Sequence, residues 1–371
     1  MGGWTVLCER CGAEDPLDSA GWRCPHCGAA WILRGPDLLD IPRLILAEHT
    51  LWRYEQILPI ARSEAVSLGE GMTPLVPGEL SGHPVWFKLD FLLPTGSFKD
   101  RGAAVLVSYL RCQGYRRLVV DSSGNAAAAL AAYCAAARLE CHVFAPAATS
   151  PAKLAQARAY GAEVTLVEGS REHVAATAQR AATADPAAAY ASHNWHPVFV
   201  EGTKTWLLEV WEQLGGRFPS ACFLPVGGGS LLIGAWRACQ ALPGPYPKLV
   251  AAQPLACAPL VQAFERGEPD VSPVAPATTL AEGARIAAPP RGRQMLAAIR
   301  RSDGWVEAID EDSLVDTLRQ LWRQGLYVEP TAALGAAAFR QAVARGRPMP
   351  AGEAVIVLTG SGLKTGSLAL E

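Results

Sequence analysis

The sequence of 371 residues has no excess of either charge and no long apolar segment. Its 33 Lys and Arg nearly balance 35 Asp and Glu, so the net charge of −2 gives no general attraction to polyanions such as nucleic acids. The most apolar stretch, 126–137, has only 12 residues, whereas a helix that crosses a bilayer needs about 20. Cys8, Glu9 and Arg10 stand where a signal peptide would carry its apolar segment. We therefore expect a cytoplasmic protein without a nucleic-acid or membrane partner.

The composition is nevertheless that of a folded protein. Half of the residues, 50%, are hydrophobic, and the mean hydropathy is +0.13, which is enough to bury a sizeable core. At roughly 150 residues per domain, the length predicts about two domains, or one large domain with an appendage. The sequence contains no internal repeat at a fixed period, so a repeat architecture is not expected.

The cysteines divide into two populations. Cys8 and Cys11 form one C-x-x-C pair, and Cys24 and Cys27 form a second pair 12 residues later. Two such turns can surround one ion with four thiolates, the preferred shell of structural Zn²⁺, and the arrangement resembles a zinc ribbon. Two redox-active or free cysteine pairs remain the alternative. The other six cysteines share no spacing and are expected to be buried: Cys112, Cys134, Cys141, Cys222, Cys239 and Cys257.

From residue 67 onward, short apolar runs alternate with Ala-rich stretches. The predicted strands are 84–89, 117–120, 140–145 and 163–167, and the predicted helices are 101–112, 125–137 and 151–160. The alternation recurs in the segments 205–214, 221–225, 234–241, 248–253, 311–324 and 354–358. Strands that alternate with helices of about 10–15 residues are typical of a parallel sheet with crossover helices. We therefore expect an α/β fold.

One lysine stands between a predicted strand and a predicted helix. The segment 94–102 reads Pro-Thr-Gly-Ser-Phe-Lys-Asp-Arg-Gly and places Lys99 at the helix start. The positive end of the helix dipole disfavours the ammonium form there, which suits an amine that acts as a nucleophile or forms a Schiff base. Lysines at helix starts are usually only solvated, so the position alone decides little.

Two loops carry the features of anion-binding sites. The segment 122–126, Ser-Ser-Gly-Asn-Ala, opens an Ala-rich helix whose first backbone N–H groups can bind a carboxylate. The segment 225–234, Pro-Val-Gly-Gly-Gly-Ser-Leu-Leu-Ile-Gly, leads from a strand into a helix, and its glycines let backbone amides approach a phosphate closely. An ordinary helix cap and an ordinary α/β turn are the respective alternatives.

These segments together resemble a known family. The segment 94–102 is similar to the cofactor-lysine motif of fold type II pyridoxal-phosphate enzymes, and its Lys-Asp-Arg-Gly ending most resembles threonine synthase. The segments 67–75 and 357–364, Ser-Leu-Gly-Glu-Gly-Met-Thr-Pro-Leu and Val-Leu-Thr-Gly-Ser-Gly-Leu-Lys, are similar to other motifs of that family. The motifs follow the family's order, so the resemblance implies a pyridoxal 5′-phosphate cofactor and an amino-acid substrate.

The resemblance also implies roles for individual residues. Lys99 would bind the cofactor covalently and later take the substrate's α-proton. Asn125 would hydrogen-bond the ring hydroxyl, and Thr359 would face the pyridine nitrogen. The phosphate would be held by Gly227, Gly228, Gly229 and Ser230. The substrate would be contacted by Ser122, Ser123, Gly124, Asn125, Lys153 and Asn194.

The implied architecture is a two-domain fold with an N-terminal zinc ribbon. We expect the ribbon at 1–34, a connecting arm at 35–66, a large cofactor-binding domain at 67–97 and 191–371, and a smaller mobile domain at 98–190. The cofactor would lie between the two domains. The resemblance further implies a homodimer.

Two positions depart from threonine synthase. Ala126 replaces a threonine that binds substrate phosphate, and Phe199 replaces an arginine, which argues against a doubly charged leaving group. The loop 122–126 and the triple glycine instead resemble serine/threonine dehydratases. The chain is thus expected to catalyse elimination or replacement at the β- or γ-carbon, with O-phosphohomoserine as one candidate substrate.

Three alternatives remain open. The first is a dehydratase that releases ammonia, and the second is a β-replacement enzyme similar to cysteate synthase that acts on phosphoserine. The third is a protein that binds pyridoxal phosphate and zinc without turnover. His193 and His196 are candidates for an acid or base near the site, although ordinary loop positions are the more common role of such residues.

Overall fold

The computed structural model describes residues 3–36, 38–41, 44, 46–347 and 352–365. It divides into two compact units: unit 1 comprises Met1–Met72 and Lys99–Thr205, and unit 2 comprises Thr73–Phe98 and Trp206–Glu371. Residues 191–205, expected with the large domain, thus group with unit 1, and the finer domain boundaries stay predictions. Within the predicted arm, residues 37, 42, 43 and 45 lie outside the described part. In the described part, no helix is long and apolar enough to cross a bilayer.

The regular elements alternate along most of the chain. The strands are β1 (Thr5–Leu7), β2 (Glu14–Pro16), β3 (Ile32–Arg34), β4 (Leu75–Leu80), β5 (His83–Lys88), β6 (Arg117–Val120), β7 (Glu140–Pro146), β8 (Glu163–Val167), β9 (Ala188–Tyr190), β10 (Ala221–Pro225), β11 (Lys248–Pro254), β12 (Trp305–Ile309) and β13 (Ala354–Val357). The α-helices are α1 (Lys99–Cys112), α2 (Asn125–Ala137), α3 (Pro151–Ala159), α4 (Arg171–Ala184), α5 (Pro197–Thr203), α6 (Thr205–Gln213), α7 (Ser230–Ala241), α8 (Pro259–Glu265), α9 (Gly292–Arg301), α10 (Glu311–Arg323) and α11 (Pro330–Ala344).

Unit 1 contains two sheets. Strands β2, β1 and β3 form an antiparallel sheet that carries the paired cysteines, and strands β8, β7, β6 and β9 form a parallel sheet in that order. The last three residues of β6, Leu-Val-Val, are buried, as expected for a strand inside a parallel sheet covered by helices. The parallel order places the carboxyl ends of β6, β7 and β9 at one edge.

Helix α2 is built almost entirely of small side chains. It reads Asn-Ala-Ala-Ala-Ala-Leu-Ala-Ala-Tyr-Cys-Ala-Ala-Ala, and residues 126–134 are all buried. It ends at Arg138, whose φ of +58° is left-handed and whose N–H bonds back to the helix carbonyls. Alanine combines the highest helix propensity with a small volume, so the helix can lie close to its neighbours.

Helices α1 and α5 approach each other through glycine. A Cβ atom at Gly202 would lie 1.9 Å from the carbonyl oxygen of Arg101, and one at Gly102 would lie 2.4 Å from the ring of Phe199. Arg101, itself fully buried, donates from Nη1 to Oγ1 of Thr205 at 3.0 Å. The two glycines therefore permit the contact that fixes the first turn of α1.

Unit 2 is built on one mixed sheet with the order β12-β11-β10-β13-β5-β4. The strands are parallel except β4, which pairs antiparallel with β5 at the edge through a turn at Ser81 and Gly82, both with positive φ. Nζ of Lys88 donates to the Glu209 carboxylate at 2.7 Å, and both side chains are fully buried. This ion pair ties β5 to α6.

The predicted alternation is confirmed in its main features. The segments 117–120, 125–137, 163–167 and 221–225 coincide with β6, α2, β8 and β10. Helix α7 begins at Ser230, four residues before the predicted 234, because the glycine run ends at Gly229 and the helix starts at once. The antiparallel strand β4 was not expected.

The α1–α5 contact can be tested by filling the space at Gly202. Gly202→Ala should lower the free energy of unfolding by about 1–3 kcal/mol, because the added methyl group displaces the backbone of α1. Urea unfolding followed by circular dichroism measures the change. Gly21→Ala is the control, since its Cβ would meet nothing nearer than the Arg23 carbonyl oxygen at 4.0 Å. Equal stability of both variants would contradict this packing.

Candidate active site

Lys99 is the first residue of α1 in unit 1. Its Nζ lies 5.8 Å from the ring centroid of Phe199, which is fully buried, and Gly102 in the next turn leaves room for that ring. The amine is therefore held against an apolar ring at the positive end of a helix. Nζ thus lies within cation–π range of a buried aromatic ring at the first turn of the helix.

The predicted carboxylate loop lies between β6 and α2 of the same unit. Ser122 is 7% exposed, and its Oγ accepts from the Gly124 N–H at 3.4 Å. Gly124 directly precedes α2 and, having no side chain, does not cap the first N–H groups of the helix. The N–H groups at the start of α2 therefore have no side-chain cap from this residue, and the carboxylate-binding role of the loop stays a prediction.

The other predicted substrate residues follow neighbouring strands of the same sheet. Lys153 is exposed in the first turn of α3, after β7, and Asn194 is in the turn that follows β9. Because β7, β6 and β9 are adjacent and parallel, their following loops share one edge of the sheet. The sheet thus brings the loop 122–125, Lys153 and Asn194 to the same edge.

The predicted acid or base candidates differ in their surroundings. His193 is 7% exposed, and its ring centroid lies 6.0 Å from that of Phe199. Burial, together with the charge of Lys99, holds the pKa of His193 well below its ordinary value, so the imidazole is neutral at pH 7. His196 instead accepts the Val198 N–H at Nδ1 and caps α5, which is a structural position.

A buried carboxyl group holds residues 67–72, the unit 1 part of the segment 67–75, in place. Glu70 accepts hydrogen bonds from the Trp52 indole at 2.8 Å, the Leu68 N–H at 2.7 Å and the Tyr133 hydroxyl at 2.8 Å. Burial raises the pKa of Glu70. Since Tyr133 belongs to α2, this carboxyl group connects the segment to the helix behind the carboxylate loop.

In unit 2 the glycine run leads from β10 into α7. Gly229 has a φ of +90°, and a Cβ atom there would lie 2.3 Å from Sδ of Met295. A Cβ atom at Gly227 would lie 2.9 Å from the Gly283 carbonyl oxygen. Both positions therefore require bare backbone. Gly228 lies between them, and Ser230 begins α7, where free N–H groups favour a phosphate.

Thr359 follows β13, which pairs with β10 in the same sheet. It is 1% exposed, and its carbonyl oxygen accepts from the Phe98 N–H at 2.9 Å. Ser97 and Gly360 form an isolated bridge beside this contact. Within unit 2, the chain just before Lys99 is therefore fixed to the chain that carries Thr359.

Sequence reasoning missed two acidic residues. Asp121 stands directly before Ser122, is 7% exposed, and has its pKa raised by burial. Glu329 precedes α11, and its Oε1 would lie 2.3 Å from a Cβ atom at Gly360. An acid that ends an apolar strand, as Asp121 does, is a pattern that could have indicated the first of these.

The four paired cysteines converge in unit 1. Their sulfur atoms all lie within 4.8 Å of one another, with Cys8 and Cys27 at 3.4 Å and Cys11 and Cys24 at 3.6 Å. The two turns repeat one pattern, in which the N–H four residues after the first cysteine bonds to that cysteine's carbonyl oxygen at 2.8 and 2.9 Å. Four thiols so placed could hold one metal ion.

Comparisons with known proteins agree with this geometry. A family model described as pyridoxal-phosphate dependent enzyme matches residues 66–360. The threonine synthase of Methanocaldococcus jannaschii is 30% identical over 374 residues, covering 96% of this chain and 92% of that protein. The threonine synthase of Mycobacterium leprae is 31% identical over 330 residues, covering 86% of this chain and 89% of that protein.

Comparison with solved structures also finds proteins of similar fold. A threonine deaminase from T.th. superimposes with a TM-score of 0.70 and 31% identity, covering 80% of this chain and 94% of that one. Serine racemase from Dictyostelium discoideum superimposes with a TM-score of 0.68 and 25% identity, covering 80% of this chain and 94% of that one. The predicted α/β fold of the type II class is confirmed by these likenesses. With most of its length matched by the family model, this chain belongs to the pyridoxal-phosphate dependent enzymes.

Proposed function

We propose that this enzyme catalyses elimination or replacement at the β- or γ-carbon of an amino acid, in the manner of a threonine synthase. The observation that carries the proposal is the position of Lys99, at the start of α1 and against the buried Phe199 ring. Similarity to threonine synthases over 96% of the chain supports it.

The residues of unit 1 fit the substrate side of this chemistry. Lys99 would hold the cofactor through Nζ and, once released, take the substrate's α-proton at the same atom. The loop 122–125 would bind the substrate carboxylate through the uncapped N–H groups of α2 and through Asn125. Lys153 and Asn194, at the same sheet edge, would contact the rest of the substrate.

The residues of unit 2 fit the cofactor. A Cβ atom at Gly227 or Gly229 would collide with Gly283 or Met295, so the turn is bare backbone there. The N–H groups of this turn and of the start of α7 at Ser230 would bind the cofactor's phosphate. Pyridoxal phosphate, when bound, supplies a ring that withdraws electrons from the substrate's α-carbon. The Thr359 hydroxyl would face the ring nitrogen without fixing a full positive charge there, which suits elimination.

Two substrate classes compete. The conversion of O-phosphohomoserine and water to threonine and phosphate is favoured by the likeness to threonine synthases. The buried Phe199 ring beside Lys99 favours a hydroxyl amino acid instead, because an apolar ring offers a phosphate leaving group no hydrogen bond. Serine or threonine would then yield ammonia and a 2-oxo acid, as in a dehydratase. A β-replacement on phosphoserine is the third candidate.

For the cysteines we propose a structural Zn²⁺ site. Sulfur atoms about 2.3 Å from zinc in a tetrahedron lie about 3.8 Å apart, close to the distances between the paired thiols here. Four protein ligands leave no position for substrate, so the ion would stabilise the antiparallel sheet of unit 1. The homodimer and the cytoplasmic location stay predictions.

Lys99→Ala should abolish covalent attachment of the cofactor. The holoenzyme should show the visible absorption band of lysine-bound cofactor, and borohydride reduction followed by peptide mapping should place the label on Lys99. The variant should lose the band and lower kcat by roughly 10²–10⁴-fold, since the general base is gone. Lys248→Ala, at the surface of unit 2, is the control. A band retained in Lys99→Ala would refute the assignment.

A substrate screen separates the candidate reactions. The holoenzyme is incubated with O-phosphohomoserine, phosphoserine, serine and threonine, and released phosphate, ammonia and 2-oxo acid are measured. Phosphate release with threonine formation identifies a synthase, whereas ammonia and 2-oxo acid from serine or threonine identify a dehydratase. If none of the four compounds releases phosphate, ammonia or a 2-oxo acid, the result would count against the proposed function.

The zinc proposal predicts one equivalent of zinc per chain by elemental analysis. Cys24→Ser should lose the ion and lower the Tm, because one ligand is missing and the antiparallel sheet has little core of its own. Cys112→Ser changes a half-buried thiol outside the four paired cysteines, so this variant should retain the zinc and the wild-type Tm. A zinc content unchanged by Cys24→Ser would exclude the site.

A further inference from the structure

His193 lies on the side of the parallel sheet of unit 1 where α1 and α5 pack. The side chains of β9 alternate between two hydrophobic clusters: Tyr190 packs with residues of α4, whereas Ala191 belongs to the cluster that contains Phe199 and α1. His193 comes two residues after Ala191, and its ring centroid lies 6.0 Å from that of Phe199. Nζ of Lys99 lies 5.8 Å from the same Phe199 ring. The imidazole and the amine therefore border one aromatic side chain.

The two nitrogens of this imidazole differ in their surroundings. Within the described residues neither nitrogen has a hydrogen-bond partner, but only Nδ1 is completely enclosed. A buried acceptor without a partner is tolerated better than a buried N–H, so we assign the proton to Nε2. Burial, together with the charges of Lys99 and Arg171, holds the pKa of His193 well below its ordinary value. Nε2–H is thus the accessible donor of a neutral ring.

The turn that carries His193 adjoins the proposed carboxylate loop. The parallel pairing of β6 with β9 places Asp121 beside Ser192 just past the strand ends, and the loop 122–125 and His193 follow directly. In the proposed function the loop binds the substrate's carboxylate, the cofactor binds its amine, and Lys99 takes its proton. The substrate's side chain, with the leaving group, is the part that remains for the turn that carries His193.

The departure of a leaving group requires a hydrogen-bond donor at this place. When the bond between carbon and oxygen breaks, its electron pair stays on the oxygen, and a donor in a site that excludes water stabilises the negative charge that develops. The Phe199 ring supplies no such donor. The proton that the departing oxygen gains is one that Lys99 has taken from the substrate, so His193 neither gains nor loses a proton. A second cation near Lys99 would lower the basicity of its amine, whereas a neutral donor leaves it intact.

We propose that His193 is a catalytic residue whose Nε2–H hydrogen-bonds the oxygen that leaves the β- or γ-carbon of the substrate. This inference rests on the proposed function and deepens it, because it assigns the leaving-group step to a residue other than Lys99. Hydroxyl and phosphate leaving groups both present an oxygen acceptor, so the assignment holds for either substrate class. The competing interpretation is a ring that only packs against Phe199, with a water molecule at Nε2.

Two variants of His193 separate these roles. His193→Leu removes the donor and should lower kcat for release of phosphate from O-phosphohomoserine or O-phosphoserine, or of ammonia from serine, by about 10²-fold, the effect of one oxyanion donor. His193→Gln carries an N–H donor and should recover about tenfold of this loss, the equivalent of one hydrogen bond. L-Alanine and L-2-aminobutyrate have no leaving group, so the exchange of their α-proton in deuterated water, followed by NMR, should stay at the wild-type rate in both variants.

The controls distinguish failure of this inference from failure of the proposed function. His173→Leu changes an exposed histidine of α4 and should alter neither rate, and a normal cofactor absorption band shows that each variant is folded and loaded. His193→Phe keeps a ring against Phe199 and replaces His193→Leu if that variant loses the band. Unchanged release, exchange slowed as much as release, or no recovery in His193→Gln would overturn the role of His193 alone. A wild-type enzyme that neither releases a group nor exchanges the α-proton would overturn both proposals.

Discussion

The parallel order of the strands is the constraint on which the candidate residues of each unit depend. Parallel strands require crossover helices, and every strand then delivers its following loop to the same edge. In unit 1 this edge collects the carboxylate loop, Lys153 and the turn with Asn194. In unit 2 the adjacent strands β10 and β13 deliver the glycine run and Thr359 in the same way. Within each unit, residues far apart in the sequence are therefore brought to the same edge of the sheet by the order of the strands.

Close packing sets the position of the lysine itself. The first turn of α1 is fixed from one side by Phe199, which needs a glycine at 102, and by the backbone contact that needs a glycine at 202. The same ring also lies near His193, with their ring centroids 6.0 Å apart. One buried aromatic side chain thus contributes to the surroundings of both the proposed nucleophile and His193.

Much of the fold could be predicted because its elements have strong local patterns. Apolar strands such as β6 and the Ala-rich α2 coincide with their predicted segments, and the motifs fall at strand ends as expected. The position of Asp121 beside Ser192 could not be predicted, because it depends on the register between β6 and β9, and five elements from α2 to α4 lie between these strands in the chain. Glu329 was missed for the same reason: its contact with Gly360 is a property of packing and not of spacing.

The alanines of α2 have a consequence for binding. Alanine has no side-chain torsion to restrict, so the buried helix behind the carboxylate loop is ordered without loss of rotamer freedom. The helix is also held in place through the hydrogen bond between Tyr133 and Glu70. If the loop 122–125 binds the substrate carboxylate as proposed, the carboxylate would meet N–H groups that are already oriented, and little further ordering would be needed. On the proposed function, the rigidity of the helix would then add to the hydrogen bonds of the loop in setting the affinity.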